Sequence, residues 1–206
     1  MPKIVDADQR REHIADAVLR LVARQGVAAA SLRNVAEEAG LNVGSVRHYF
    51  TNHTELLQVA VTVMAERVET RITRRVAAHD GTMGERALEL LLDLVCELLP
   101  LDEERRAEAI IFLAFAEHAR TNPELGDVTG SLFRGPRALA ELAYERFDLD
   151  PPERELAVAA LAATIDGLTL LGVHRPEELP PDRARDVIRW QFLSVIRTSG
   201  AGSTPG

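Results

Sequence analysis

The stretch SLRNVAEEAGLNVGSVRHYFTNHTELL, residues 31–57, decides the fold of this chain. Apolar residues recur at helical spacing in two short segments of it, which are separated by Gly40. Glycine adopts at little cost the positive φ that a tight turn needs, and Ser31 and Asn42 are good N-cap residues for the two helices. The pattern predicts a short helix, a tight turn and a second short helix, a shape that fits the major groove of DNA.

Helical periodicity continues on both sides of this stretch, and no alternating strand pattern occurs. We expect further helices over residues 6–25, 52–78, 84–99, 102–120, 152–173 and 182–198. The segment 124–147 contains three glycines and Pro136, which predict a kinked or split element there. The sequence therefore predicts an all-α fold of about nine helices.

The domain organisation follows from the same pattern. We expect a three-helix, helix-turn-helix DNA-binding head over residues 1–53 and a larger helical body for ligand binding and dimerisation over residues 54–198. Asn52 and Glu55 form a capping box at the start of the helix that joins them. The final residues, 199–206, are small and polar and predict a disordered tail.

The composition is that of a globular protein with a sizeable core, since 46% of the 206 residues are hydrophobic and 27% are charged. No apolar run reaches the roughly 18 residues of a membrane span, and the N-terminus has no secretory apolar segment. The only cysteine, Cys96, leaves no internal disulfide framework. We therefore expect a cytoplasmic protein with no membrane partner.

The formal net charge of −8 at first argues against a polyanionic partner. The acidity belongs to the body, however, because residues 1–53 carry +1 and the remainder carries −9. Any affinity of the head for DNA must therefore come from local geometry and helix N-termini as much as from net charge.

The second short helix carries side chains suited to DNA. Arg47 can form two hydrogen bonds with guanine, His48 and Tyr49 can donate to phosphate oxygens, and Gly44 lets the helix N-terminus approach the backbone closely. The alternative is that these residues only pack a small three-helix unit. We predict DNA contacts from Ser31, Arg33, Asn42, Gly44, Ser45, Arg47, His48, Tyr49 and His53.

The order and spacing of these residues resemble the N-terminal domain of the TetR family of transcriptional regulators. The matching positions are Gly26, Ser31, Val35, Ala36, Ala39, Gly40, Gly44, Tyr49, Phe50 and the segment NHTELL at residues 52–57. The segments RRAEAIIFLAFAEHARTNPEL at residues 105–125 and ATIDGLTLLG at residues 163–172 are similar to the branch of the BetI regulators. The resemblance implies a homodimer with two DNA-reading heads and a ligand-binding helical body.

The chain departs from that family at two DNA-facing positions. His53 stands where the family usually has a lysine, so a phosphate contact there is expected to be weaker. Arg47 stands where the family often has an aromatic residue, so base preference does not carry over.

The segment 152–173 is apolar on nearly every face, and such a helix must be covered on all sides. We expect it to form a four-helix interface with the last helix and a second copy of the chain, and the alternative is that one chain covers it unaided. Asp166 either bonds a partner side chain there or holds a cationic ligand. The predicted interface residues are Leu161, Ile165, Asp166, Leu168, Trp190 and Leu193.

An effector cavity is expected in the body. Its predicted lining residues are Cys96, Phe112, Phe115, Glu117, His118 and Tyr144, with one of Glu117 and His118 facing inward. The alternative is that each of these residues is an ordinary core or surface residue.

Enzyme signatures do not occur: there is no Glu-x-x-His pair, HExxH, GxSxG, Walker loop or paired-cysteine zinc site. We expect no enzymatic activity and no cofactor. The sequence predicts a ligand-responsive repressor that a small-molecule effector releases from a palindromic double-stranded DNA operator. The alternatives are an activator of the same fold, or a small-molecule binding helical protein or bundle enzyme that does not use its head for DNA.

Overall fold

The computed structural model describes residues 7–79, 85–145, 147 and 149–201, except for the side chains of residues 125–129, 131–133 and 197–201. This part of the chain forms nine α-helices and no strand, which confirms the predicted all-α class. The helices are α1 (Ala7–Gln25), α2 (Leu32–Glu38), α3 (Val43–Tyr49), α4 (His53–Ala78), α5 (Glu85–Cys96), α6 (Glu103–Thr121), α7 (Gly126–Tyr144), α8 (Pro151–His174) and α9 (Pro181–Ala201).

The chain divides into two compact units. Unit 1 consists of Met1–Glu69 and Ile110–Leu132, and unit 2 consists of Thr70–Ala109 and Phe133–Gly206. This division does not fall at the predicted boundary after residue 53, because unit 1 also takes in most of α4 and the second half of α6. DNA binding by the head, and ligand binding and dimerisation by the body, stay predictions.

Unit 1 has its own apolar core, core 1, which holds the three head helices together. The inner faces of α1, α2 and α3 meet the first half of α4 there, with Ile14, Val35, Val46 and Leu56 fully buried. Phe115 of α6 is fully buried in the same core. The second half of α6 is therefore part of the packing that fixes the head.

Unit 2 has a separate apolar core, core 2, built from α5, the end of α7, α8 and α9. Its largest fully buried side chains include Leu92, Tyr144, Leu161 and Phe192. An ion-pair network lies beside this core. Glu97, which is 4% exposed, accepts hydrogen bonds from the guanidinium groups of Arg71 and Arg75 of α4.

Helix α7 runs without a break from Gly126 to Tyr144 with Pro136 inside, so of the expected kinked or split element the split alternative is wrong. Proline removes one helical hydrogen bond. The last two turns nevertheless bury Leu139, Ala140, Ala143 and Tyr144 in core 2. This packing outweighs the low helix propensity of the glycines, since tertiary burial supplies most of the stability of a helix in a protein.

Helix α8 is held closely at its C-terminal end. A Cβ atom on Gly172 would lie 2.5 Å from Cγ of Pro100, so only glycine allows this approach. Arg106 donates hydrogen bonds to the carbonyl oxygens of Gly172 and Val173, which satisfies acceptors that a helix end leaves unpaired.

Among the described residues, α8 is the helix long and apolar enough to cross a membrane. Core helices of proteins that never enter a membrane meet the same criteria, and α8 buries one face in core 2. Helix α9 ends at Ala201, three residues beyond the predicted end, so it enters the predicted tail. Residues 202–206 of that tail lie outside the described residues, as do residues 80–84 between α4 and α5.

Candidate nucleic-acid interface

Helix α3 has one buried and one exposed face. Val46 and, just after the helix, Phe50 are buried in core 1. On the other side Arg47 and His48 are exposed, and Tyr49 is half-buried with its ring edge-on to that of His48, 5.1 Å away between ring centroids. The described structure thus leaves the predicted reading residues open to a partner outside unit 1.

The turn and caps that aim α3 follow the sequence pattern. Gly40 has a φ of 65°, as the tight turn requires. The Ser31 hydroxyl accepts a hydrogen bond from the Asn34 amide at 3.2 Å, and Asn42 Oδ1 accepts one from the Ser45 amide at 2.8 Å. These bonds satisfy N–H groups at the start of α2 and α3.

A second hydrogen bond joins the side chains of the same two residues: the Ser45 hydroxyl donates to Asn42 Oδ1 at 3.2 Å. A Cβ atom on Gly44 would lie 3.1 Å from the same oxygen, so glycine leaves room for the cap. Gly44 is exposed, which keeps the first turn of α3 open to a close approach by a phosphate.

The distribution of charged side chains in unit 1 favours contacts with DNA. Arg20 and Arg24 of α1 both pair with Glu38, so that carboxylate is neutralised locally. Arg33 and Arg47 are exposed and form no ion pair with any side chain that the structure describes. Two arginines on α2 and α3 therefore remain available for phosphate or base contacts.

Arg11 of α1 contacts both ends of the connection between α3 and α4, a role that the sequence did not indicate. Its guanidinium group donates to the carbonyl oxygen of Tyr49, pairs with Glu55 at 3.1 Å and lies 4.7 Å from the ring centroid of Phe50. A cation at the C-terminus of α3 also interacts favourably with the helix dipole. Helical periodicity could not reveal this residue, because a polar side chain on an amphipathic helix is normally solvated.

Glu55 forms the predicted capping box in a modified form. Asn52 Oδ1 accepts from the Glu55 amide at 2.8 Å, but the Glu55 carboxylate accepts from the amide and hydroxyl of Thr51 at 2.7 and 2.6 Å, one residue earlier than expected. These bonds from Thr51, together with the ion pair to Arg11, lower the pKa of Glu55 to about 2.

The low pKa of Glu55 predicts a pH-dependent contribution to the stability of the folded protein. The unfolded carboxyl titrates near its usual value of 4.5, so the stabilisation is complete above that pH. It is lost as the pH falls from about 4.5 to about 2. We expect the thermal stability advantage of wild type over Glu55→Gln to be largest near pH 6 and to shrink steadily below pH 4.5.

Calorimetric unfolding at pH 6, 4.5 and 3 measures that difference. Glu37→Gln, which removes an exposed carboxylate from α2, controls for the change in net charge. If the difference in thermal stability between wild type and Glu55→Gln stays constant with pH, the ionised carboxylate contributes nothing to this contact.

Two histidines hold the ends of α2. Nε2–H of His13 donates to the Ala39 carbonyl oxygen and Nε2–H of His53 donates to the Ala30 carbonyl oxygen, both at 2.9 Å. The Nε2–H of His53 is therefore used within the protein, and the predicted phosphate contact through this nitrogen is not available while the bond is formed. His53 instead connects the start of α4 to the segment before α2.

The six predicted effector residues are divided between the two units. Phe112, Phe115, Glu117 and His118 belong to unit 1, whereas Cys96 and Tyr144 belong to unit 2. Phe115 is fully buried in core 1, and Glu117 is exposed and paired with Arg120 at 2.7 Å. Glu117 thus does not face inward. His118 is half-buried. In unit 2, burial raises the pKa of the Cys96 thiol.

The predicted dimer interface needs a correction. Leu161, Ile165 and Leu168 are buried in core 2 of the same chain, so they cannot contact a partner, because they lie on the inner face of α8. Asp166 lies on the opposite side of α8, where it is exposed. The protein still removes part of the water around its carboxyl group, and this desolvation raises the pKa of the group. No side chain that the structure describes pairs with this carboxylate.

The exposed faces of α8 and α9 both carry large apolar side chains. We define the outer stripe of α8 as Leu156, Ala159, Ala160, Ala163, Gly167 and Leu170, all of which are exposed. Its large side chains are well exposed, Leu156 at 71% and Leu170 at 51%. On α9, Trp190 is 67% exposed and Leu193 is 36% exposed, and their place in a dimer interface stays a prediction.

A short helix presented outward after a glycine turn defines the class of this protein as helix-turn-helix DNA-binding regulators. Comparison with known families supports this assignment. The family described as "Bacterial regulatory proteins, tetR family" matches residues 14–60, and "BetI-type transcriptional repressor, C-terminal" matches residues 87–195. The chain belongs to the TetR family of bacterial transcriptional regulators.

Individual relatives agree with this membership. The chain is 35% identical to the HTH-type transcriptional regulator PksA of Bacillus subtilis, over 95% of this chain and 94% of that protein. It is 31% identical to the HTH-type nicotine-responsive transcriptional repressor HdnoR of Paenarthrobacter nicotinovorans, over 60% of this chain and 61% of that protein. A transcriptional regulator from Rhodococcus sp. Rha1 superposes with a TM-score of 0.78 and 28% identity, over 91% of this chain and 96% of that one.

Proposed function

We propose that this chain is a homodimeric repressor that binds a palindromic operator in the cytoplasm and leaves it when a small molecule binds the body. The observation that carries DNA reading is the outward face of α3, where Arg47 and His48 are exposed opposite the buried Val46. In a dimer, two such helices enter successive major grooves one helical turn or more apart.

The proposal of repression and effector release draws support from the relatives. The family that matches residues 87–195 is described as a repressor, and HdnoR is named as a nicotine-responsive repressor. Membership of the TetR family itself leaves the sign of regulation open. An activator of the same fold is therefore the second outcome that the experiment below must distinguish.

The proposal of a homodimer rests on the outer stripe of α8 and the exposed Trp190 and Leu193 of α9. An exposed patch of large and small apolar side chains costs free energy in water and marks a protein-protein interface. Two such helices from each copy form a four-helix interface around a two-fold axis, with the same surface on both sides. This arrangement uses side chains that core 2 leaves uncovered.

The proposed coupling runs through α4, which contributes residues to both units. Within unit 1, the Thr54 hydroxyl donates to the Glu124 carboxylate at 3.1 Å, and the Gln58 amide donates to the Glu124 carbonyl oxygen at 3.2 Å. Glu124 lies in the short 3-10 turn between α6 and α7. A ligand that displaces these helices would therefore pull on the first turns of α4, next to the head.

The free energy needed for this coupling is modest. A ligand changes the affinity for DNA only by its differential affinity for two conformers, which is typically about 1–3 kcal/mol. Because each dimer carries two heads, a small displacement of both copies of α4 changes the distance between the two reading helices. We propose that this distance no longer matches the operator when the effector is bound.

A gel-shift experiment on the DNA that flanks the chain's own gene tests the function. We expect sequence-specific and salt-sensitive retention by wild type. Arg47→Ala should weaken it about 30-fold or more, because a bidentate base contact contributes about 1–3 kcal/mol at each of two half-sites. Arg134→Ala, which removes an exposed arginine from α7, is the charge-matched control and should change little.

The outcomes separate the alternatives. If wild type retains no DNA fragment, the chain is a ligand-binding helical protein that does not use its head. If Arg47→Ala and Arg134→Ala bind equally, the assignment of α3 is wrong. Reporter expression in a deletion strain then decides the sign of regulation, since loss of a repressor raises expression and loss of an activator lowers it.

A further inference from the structure

Helix α3 has little packing of its own to hold it in place. It is seven residues long, and Val46 is the residue within it that is fully buried. The last carbonyl groups of a helix have no partner within it, so the end of such a short helix needs contacts from elsewhere. A side chain that reads bases must be held to within about 0.5 Å, which requires a second set of side chains behind it.

Arg11 of α1 supplies such contacts at the C-terminal end of α3. Its Nη1 atom donates to the Tyr49 carbonyl oxygen, and its Nη2 atom donates to Glu55 Oε1 at 3.1 Å. Its Cζ atom lies over the ring of Phe50, 4.7 Å from the centroid. A planar guanidinium group presents a fixed fork of donors and a flat face, so it can form the three contacts at once, whereas the compact ammonium group of lysine cannot.

The Glu55 carboxylate of α4 completes this arrangement. Its Oε1 atom is bound by Arg11, while its Oε2 atom accepts from the amide and hydroxyl of Thr51 at 2.7 and 2.6 Å. Three consecutive residues, Tyr49, Phe50 and Thr51, are therefore each bound by Arg11 or Glu55. Together the two side chains fix the path of the chain where α3 ends.

The guanidinium group of Arg11 is directed into the protein and not toward a DNA phosphate. Its side chain is 34% exposed, but both terminal nitrogens are bound within unit 1. The neighbouring Arg10 carries the same charge on the same helix and forms none of these contacts within the described structure. The two arginines therefore allow a comparison of position at constant charge.

We propose that Arg11 is a positioning residue for DNA recognition, which fixes the C-terminal end of α3 and thereby sets the sequence specificity of the head without itself contacting DNA. This inference rests on the proposed function, in which α3 reads the operator. Loss of the Arg11 contacts lets α3 tilt, so the base contacts of Arg47 weaken. Phosphate contacts depend mainly on charge and change little. Loss of Arg11 therefore lowers specificity more than it lowers general affinity for DNA.

The experiment uses the full chain and compares Arg11→Lys with Arg10→Lys, both of which keep the net charge. The probes are two duplexes of equal length: the shortest fragment of the flanking DNA that wild type retains, and a duplex of the same base composition in shuffled order. Hydrogen exchange of the free protein, measured by mass spectrometry on peptides that cover residues 43–50, reports on α3 in the absence of DNA.

We expect Arg11→Lys to bind the flanking fragment at least about tenfold more weakly than wild type, and the shuffled duplex within about twofold of wild type. The amides of α3 should exchange about tenfold faster, while those in the middle of α1, which stays packed in core 1, should be unchanged. Arg10→Lys should match wild type in every measurement. A purely structural role would lower the unfolding temperature without changing the ratio of the two affinities.

A double-variant comparison tests whether Arg11 and Glu55 act as one unit. Glu55→Gln should also lower the ratio of the two affinities, because it weakens the bonds to both Arg11 and Thr51. The effects of Arg11→Lys and Glu55→Gln should not add in the double variant, since either substitution already breaks the shared contact. Fully additive effects would contradict a common role.

Two further results would overturn the proposal. If Arg11→Lys keeps the wild-type ratio of affinities, or if its α3 amides exchange as slowly as those of wild type, Arg11 does not position the helix. An equal fall of both affinities is one such case, and it would show that Arg11 itself contacts phosphate. A wild type that retains no flanking fragment in preference to the shuffled duplex rejects the proposed function, and the role of Arg11 with it.

Discussion

Trp190→Glu is expected to separate the two subunits and to weaken operator binding by at least about 100-fold. The side chain is 67% exposed in the single chain, so the substitution leaves core 2 intact. In the proposed dimer, however, it would place a carboxylate in an apolar interface, where an unpaired charge is costly. Loss of the dimer removes the gain of about 10²–10⁴ in affinity that two linked binding modules provide.

Light scattering coupled to size exclusion gives the mass of the variant, and a gel shift gives its affinity for DNA. Leu142→Glu is the control, because Leu142 is also a large apolar residue of unit 2 that is exposed, at 42%, but it lies on α7. The control should stay dimeric. A Trp190→Glu protein of dimer mass with unchanged operator affinity would show that copies of this chain associate through another surface.

Glu97→Ala is expected to lower the free energy of unfolding by about 2–4 kcal/mol, somewhat less than the roughly 3–5 kcal/mol that breaking a buried ion pair costs. Glu97 is 4% exposed and pairs with Arg71 at 3.0 Å, with Arg75, and with Arg105 at 3.9 Å. Removing the carboxylate leaves three guanidinium groups without their shared partner. Arg71 keeps Glu108, which moderates the loss.

Urea denaturation followed by circular dichroism measures this change. Glu117→Ala breaks an exposed pair with Arg120, so it is the control and should change the stability little. The second half of α4 is held in unit 2 by Arg71 and Arg75, so the variant should also weaken operator binding if α4 carries the coupling. If the two variants are equally stable, the buried ion pairs of Glu97 contribute no more to the stability than the exposed pair of Glu117.

The local signals of helix formation could be predicted from the sequence. Gly40 adopts the positive φ that the turn requires, and Ser31 and Asn42 cap α2 and α3 with the expected bonds. These features depend on a few neighbouring residues, whose backbone and side-chain chemistry determines the outcome. The outward face of α3 followed from the same periodicity.

The features that depend on tertiary packing could not be predicted in this way. The sequence of α8 is apolar on nearly all sides, so periodicity could not tell that Leu161 and Ile165 face core 2 while Leu156 and Leu170 face outward. The continuity of α7 was missed because its last turns are held by burial, whereas glycine and proline propensities act locally.

Contacts of charged and polar side chains over long sequence separations could not be predicted either. Arg11 and Glu55 lie 44 positions apart, and His53 reaches back 23 positions to the Ala30 carbonyl oxygen. Nothing in the local pattern around Arg11 distinguishes it from the neighbouring Arg10. Such residues are found only when the helices are placed in space.

The burial of Phe115 in core 1 has a consequence for protein engineering. One way to exchange reading heads between regulators is to cut the chain after the first helices and fuse them to a foreign body. Here a segment truncated near residue 60 would lose Phe115 and Ile111 from its apolar interior, since both come from α6. A transplantable head must therefore carry the stretch 110–132 with it, or receive substitute side chains that fill the vacated volume.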